Sequence, residues 1–294
     1  MGNARAEVVL SVGAQHAEGP LWDGPSARLW WVDIIGQRVH CFDPVTGADR
    51  EWATVGQPGG VLIDELGEPL IGMPDGLAAL DRETGAISPR VRIEADRPGN
   101  RVNDMKADSR GRIWAGSMAY DRTMDAGSLY RIDGGQVARV IPDLTISNGP
   151  AIDEESGLLY VADTARMIVD VFDFDVETGS VSNRRRFLDL ADDGLWPDGM
   201  TIDRDGMVWL AVGRGSAVHR YRRDATLDGM IELPVTNPTS VAFGGSDGAD
   251  LYITTSSFDV DEEARATQPL AGAIFCVSPG TTGRPAHRAR SLPA

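Results

Sequence analysis

Cysteine is almost missing from this chain. Cys41 and Cys276 are the only two in 294 residues, and they form no CxxC pair. That leaves neither a disulfide framework nor a thiolate metal site to expect. Long apolar runs are missing too: none approaches the ~20 residues that a membrane-spanning helix needs. The opening residues MGNARAEVVLSVGAQ lack the basic start and apolar core of a secretory signal, and the Asn-Ala-Arg-Ala after Gly2 lacks the Ser or Thr of a myristoylation signal. The expectation is a soluble, cytoplasmic protein. Positive charge is also scarce, with 28 Lys and Arg against 44 Asp and Glu and a formal net charge of −16. That argues against nucleic acid and against an anionic membrane surface as partners. It is compatible with cation binding, although most of these carboxylates are read as solubilising surface. Finally, no segment has sustained helical periodicity and no βαβ alternation appears.

The chain does have many turns, with 34 Gly and 17 Pro, and short β-rich runs between them. The runs recur in six rounds of roughly 40–50 residues, the period of propeller blades. Residues 28–33, 69–72, 112–116, 158–163, 207–212 and 250–255 hold corresponding places. The spacing predicts an all-β, six-bladed β-propeller, with four antiparallel strands per blade around a central channel, as one domain over 1–294. Glu7-Val8-Val9-Leu10 is a spare β-run that closes the ring against the last blade. The one long insertion, 258–270, reads as a loop over one face of the disc.

The most unusual stretch is 99–118, GNRVNDMKADSRGRIWAGSM. A polar cluster, Asn100 to Asp104, stands before a short strand at 105–107, a turn at 108–111 and a second strand at 112–116. Asp108 has counterparts at Asp23, Asp64, Asp153 and Asp203, which read as turn-capping residues repeated for the architecture. Stepping back from each by one offset reaches Glu18, Gly59, Asn103, Asn148, Asp198 and, in the sixth round, Thr239. These vary where the scaffold repeats. In a closed propeller they lie on a circle around the axis, so Glu18, Asn148 and Asp198 bring two carboxylates and an amide oxygen toward one spot. Two readings fit: a polar lining of a wet channel, or a divalent cation that relieves carboxylate repulsion. All-oxygen ligation suits Ca²⁺, Mg²⁺ or Mn²⁺, with Zn²⁺ and Fe²⁺ also open.

The chain resembles the SMP-30/gluconolactonase/regucalcin-like family over essentially its whole length. Carrying the resemblance are Ala17-Glu18-Gly19-Pro20 with Trp22, Asn100 to Asp104 with Gly111-Arg112 and 114–118, Ser147-Asn148-Gly149, Pro197-Asp198-Gly199, and 268–272. It implies a six-bladed propeller holding one divalent metal through Glu18, Asn148 and Asp198. It places Arg101 and Asn103 at substrate, and Asp121 is the nearest match to a further substrate-contacting carboxylate. The implied activity is metal-dependent hydrolysis of a sugar lactone to the aldonic acid, a carboxylic ester hydrolysis.

That chemistry suits the residues. A divalent ion polarises a carbonyl and acidifies a water. Asp198 is then the candidate general base, and Arg101 with Asn103 offers donors to sugar hydroxyls. The alternatives are a phosphoester or organophosphate hydrolase on the same scaffold and a non-catalytic calcium-binding propeller. His16, His40, His219 and His287 lack ligand spacing and read as structural. Ser117 and Ser147 have no histidine partner, so a serine triad fits poorly. Tyr120, Met124 and Trp196 are the expected determinants of which lactone is taken.

Overall fold

A computed structural model describes residues 5–260 and 262–293. The start Met1 to Ala4 and one position of the expected 258–270 loop, residue 261, lie outside the described residues. Six four-stranded antiparallel sheets stand in a ring, forming the expected six-bladed β-propeller. Blade 1 runs outward from the axis as Ala17–Asp23, Arg28–Asp33, Arg38–Phe42 and Asp49–Ala53. Blades 2 to 5 repeat that order, with innermost strands Gly60–Ile63, Asn100–Ala107, Ser147–Asp153 and Trp196–Ile202. Blade 6 contains Pro238–Gly244, Asp250–Thr255 and Ile274–Val277, and its outermost strand is Glu7–Leu10. The spare N-terminal run closes the ring, with Glu7 opposite Cys276 and Leu10 opposite Ile274.

Burial follows the radial order. Second strands lie between neighbouring blades and are covered on both faces, as in Ile113–Ala119, where every residue is buried. Outer strands such as Val181–Asp189 show solvent a run of charged residues instead. Trp31, Trp114 and Trp209 are among the largest fully buried side chains, each contributing on the order of 3 kcal/mol by area. The repeated aspartates hold this together from the turns. Oδ1 of Asp108 accepts the N–H groups of Arg110 and Arg112, each at 3.0 Å, while Oδ2 accepts Trp114 Nε1–H at 2.9 Å. Asp203 repeats the pattern with Asp205, Met207 and Trp209.

Two local expectations are corrected. The cluster Asn100 to Asp104 does not stand before the strand expected at 105–107. It belongs to the strand Asn100–Ala107, paired with Ile113–Ala119 and bulged between Val102 and Met105. Arg101 and Asn103 line the central cavity while Asn100 donates to Glu94 Oε2 and Ala126 O, so the strand carries no apolar alternation to reveal it. The insertion after Thr255 contains a short helix, Glu262–Thr267, whose EEARAT sequence is rich in good helix formers.

The C-terminal segment crosses the end of the channel where the turn aspartates lie. Arg284 Nη1 donates to Asp153 Oδ1 at 3.0 Å, and Arg290 N donates to Gly111 O at 2.8 Å. Ala289 N donates to Ile63 O at 3.0 Å. This strap covers the far end and leaves the slot end of the channel as the side open to a ligand.

Candidate active site

Each innermost strand begins at the slot end. In five blades the register shifts at the slot: the bulge starts at Glu18 and at Asn148, before Leu21 and Ala151, and it encloses Asn103, Asp198 and Thr239, between Val102 and Met105, Pro197 and Met200, and Pro238 and Ser240. A bulge re-aims a side chain at its site, here toward the axis. The glycine after the slot lets adjacent blades close. Gly149 has φ +43°, and a Cβ there would lie 2.7 Å from Asp198 O and from Met200 N. Any larger residue would push blade 4 from blade 5 and separate Asn148 from Asp198.

The result is a polar cluster at the base of a cavity of about 370 Å³. Glu18, Arg101, Asn103, Asn148 and Asp198 all line it. A hydrogen-bonded chain runs around the wall. Arg101 Nη1 donates to Asn103 Oδ1 at 2.7 Å, and Asn103 Nδ2 donates to Asn148 Oδ1 at 2.6 Å and to Ser147 O at 3.0 Å. Asn148 Nδ2 donates to Thr164 Oγ1 at 2.9 Å, and that hydroxyl donates to Pro197 O at 2.7 Å. Backbone carbonyls at both ends fix the direction of every amide along the chain.

Opposite this chain are the carboxylates. Burial, and then the charge of nearby Asp104, pushes Glu18 up to about 8. Burial, and then Glu18, holds Asp198 well above the ordinary carboxylate range. Asp104, raised by burial, accepts Gly149 N–H at 3.0 Å and ties blade 3 to blade 4. Arg101 is buried as well, which lowers it to about 10, still charged at neutral pH.

These residues fit a divalent cation. Asp198 Oδ1 is buried with no hydrogen-bond partner among the described residues, and an orphaned carboxylate oxygen beside a second carboxylate is costly without a counter-charge. No trio drawn from His, Cys, Asp and Glu alone could hold a metal among the described residues. The donor set on offer is instead Glu18, Asp198 and the amide oxygen of Asn148, with Asn103 adjacent.

Asp121 is not brought in. It is exposed, and its Oδ1 accepts Thr123 N–H at 2.9 Å and the Thr123 hydroxyl at 2.7 Å. Its neighbours Tyr120 and Arg122 border the cavity in its place. Trp196 also lines it, its ring 3.6 Å beneath the Arg214 guanidinium, whereas Met124 is exposed and outside the lining. His16 does more than fill the core. It borders the cavity, with Nδ1 2.8 Å from Ser256 Oγ, and burial followed by the Arg101 charge lowers it to about 4, so it is neutral. Thr164 carries no signal in the sequence, because a threonine after a strand is common and its partners lie on two other segments. A second cavity of about 420 Å³ lies at the strapped end, where Leu21, Leu62, Ile152 and Met200 line it together with Lys106, Glu154, Glu155, Arg284 and His287, and there Arg284 pairs with Glu155 at 2.8 Å.

Among the described residues, no helix is long and apolar enough to cross a membrane. Comparison with known proteins agrees with the fold. Residues 16–257 match the SMP-30/gluconolactonase/LRE-like region. Pentonolactonase XacC of Haloferax volcanii is 35% identical over 288 residues, covering 95% of this chain and 96% of that protein. Regucalcin of Xenopus laevis is 31% identical over 285 residues, covering 95% of each. The crystal structure of a calcium-binding regucalcin from Agrobacterium tumefaciens superposes with a TM-score of 0.94 at 27% identity, covering 98% of each chain. With residues 16–257 matching the family model, about 95% of its length aligned to relatives more than 30% identical, and the same propeller fold, the chain belongs to the SMP-30/gluconolactonase/LRE-like family.

Proposed function

We propose that this protein hydrolyses a sugar lactone to its aldonic acid with the help of one divalent metal ion. The observation that carries the reading is the pairing of Glu18 and Asp198, two buried carboxylates with an orphaned oxygen, opposite a wall of Arg101, Asn103 and Asn148. Relatives named as a pentonolactonase and as regucalcins support it. Glu18, Asn148 and Asp198 would hold the ion, with a donor set suited to Ca²⁺, Mg²⁺ or Mn²⁺ and open to Zn²⁺ or Fe²⁺. When bound, the ion supplies Lewis acidity toward a carbonyl oxygen and lowers the pKa of a water.

The chain's own residues do the rest. Asp198 takes a proton from the attacking water as the new C–O bond forms at the lactone carbonyl. Charge develops on the carbonyl oxygen, and Arg101 is the buried cation at hand to meet it. As the ring C–O bond breaks, the proton held by Asp198 passes to the departing alkoxide, leaving a hydroxy acid that ionises. Arg101 and Asn103 present N–H donors to the hydroxyls of a polyol ring. Burial of the whole set keeps bulk water from competing for those donors. Asp121, turned to Thr123, serves the loop that carries Tyr120 and Arg122.

The test is to strip the protein with chelator, restore single divalent metals, and follow acid release from a panel of pentono- and hexonolactones, with a phosphotriester as the control. Metal-restored acid release from a lactone supports the reading. Ligand binding without turnover on any lactone, whatever the metal, sinks it.

A further inference from the structure

The mouth of the cavity is bridged from opposite sides of the ring. Arg122 follows the second strand of blade 3 and Asp259 follows the second strand of blade 6. In a six-membered ring these blades face each other across the axis. Their side chains nevertheless meet, with Arg122 Nη2 2.8 Å from Asp259 Oδ2. Both residues border the cavity.

The backbone shows how each loop is bent to reach across. Arg122 and Asp259 both have φ +59°, a left-handed conformation that residues other than glycine seldom adopt. Asp121 holds the first loop by accepting Thr123 N–H and its hydroxyl. The second loop is anchored at its stem, where Ser257 N and Phe258 N both donate to Gln15 O, at 3.0 and 2.9 Å. The Phe258 ring also meets His16 edge to face at 6.3 Å. Two braced loops therefore deliver one charge each to the middle of the mouth. The Arg122 and Asp259 side chains are 47% and 38% exposed, and exposed pairs of this kind are weak in water. Such a bond spans part of the mouth and costs little to break.

We propose that Arg122 and Asp259 are specificity-determining residues, whose ion pair roofs the cavity and restricts it to lactones of a single sugar ring. This rests on the lactonase reading above. A second ring attached to the substrate has to pass through the place the pair occupies, so it can be accommodated only with the bridge broken. Asp121, the carboxylate expected at substrate, folds the loop through Thr123, and its neighbour Arg122 lines the cavity.

The test compares wild type, Arg122→Ala, Asp259→Ala and the charge-exchanged double variant Arg122→Asp/Asp259→Arg, all loaded with metal. Two readouts are taken. One is the ratio of kcat/KM for a hexonolactone to that for the same lactone bearing a linked glucose. The other, independent of turnover, is acrylamide quenching of Trp196 on the cavity wall, obtained by difference from matched Trp196→Phe proteins. The expected result is a ratio about tenfold lower in each single variant, with restoration in the exchanged pair. Quenching should rise in the single variants and fall back in the exchange. Lactone hydrolysis with the same ratio and the same quenching in all four proteins overturns the roof and leaves the lactonase reading standing. Failure of every protein on every lactone overturns the lactonase reading, and this proposal with it.

Discussion

Nδ2 of Asn103 lies 2.6 Å from Oδ1 of Asn148, joining two amides 45 residues apart in the chain. Through this bond Arg101 on blade 3 and Thr164 on blade 4 orient the same amide from opposite sides. The amide proposed as a metal ligand is thus held by neighbours on both sides.

Thr164 is the part of that arrangement most easily isolated. Thr164→Val keeps the shape and removes the hydroxyl, leaving Asn148 Nδ2 buried without its acceptor. Divalent-ion affinity measured by calorimetric titration should fall about 10- to 100-fold, as for other residues that orient metal ligands. Thr164→Ser should recover most of it. Equal weakening by both variants would point to packing rather than the hydrogen bond.

Asp198→Ala is expected to lower kcat at least about 10³-fold, since it removes both a proposed ligand and the proposed base. The far-ultraviolet circular dichroism should remain that of the folded propeller. Turnover near wild type on the best lactone would remove Asp198 from both roles.

Arg101→Ala should act mainly on substrate binding. Loss of charge-assisted hydrogen bonds worth roughly 1.5–3 kcal/mol predicts a KM raised about 10- to 100-fold. Metal affinity should change far less, because Arg101 reaches Asn148 only through Asn103. Steady-state kinetics and metal titration on one preparation separate the two effects.

The raised carboxylates make a statement about pH. Glu18 goes from 4.5 to about 8 on folding without metal, so between those values the folded state holds more protons than the unfolded one. Stability of the metal-free protein therefore has a component that is present at low pH and is lost as pH rises through this window. Glu18→Gln removes that component. In chelator the variant should melt several degrees higher than wild type at pH 8, given the unfolding entropy of a chain this long, with the gap shrinking toward pH 5. A gap that is constant with pH would show that Glu18 does not carry the raised proton affinity. Added divalent ion should raise the wild-type melting temperature most at the alkaline end, where fewer protons compete for the carboxylates.

Gly149→Ala tests the closeness of the blades. With φ +43° and a Cβ 2.7 Å from two backbone atoms of blade 5, the substitution should destabilise the fold by about 2 kcal/mol or more. It should also weaken metal binding by moving Asn148 from Asp198. Thermal melts and the same calorimetric titration check both. A change at solvent-facing Gly134, where a Cβ would meet nothing within 4 Å, should leave metal binding alone.

Much of the fold is legible in the residues because its elements repeat. Asp64, Asp108 and Asp203 recur at matching turns, where each caps its own backbone, and local hydrogen bonds of this kind write themselves into sequence at fixed offsets. The ring-closing run Glu7–Leu10 is visible for the same reason, as a β-run without a blade of its own. The slot residues can be aligned by counting back from those turns, so Glu18, Asn148 and Asp198 stand out from the order of residues alone.

What lies between the repeats is another matter. Asn100 to Asp104 lacks a strand's apolar alternation, because Arg101 and Asn103 line a cavity that exists only once the ring has closed. Thr164, His16 and the Arg122–Asp259 bridge depend on contacts between blades, at separations with no periodicity to reveal them. Similarity puts Asp121 at the substrate, and a local turn holds it away. Backbone chemistry is local and repeats with the blade, so the order of residues is enough to set the scaffold and the ring of slots. Direction, reach and partnership of side chains around the axis are non-local, and they are settled only when the propeller closes.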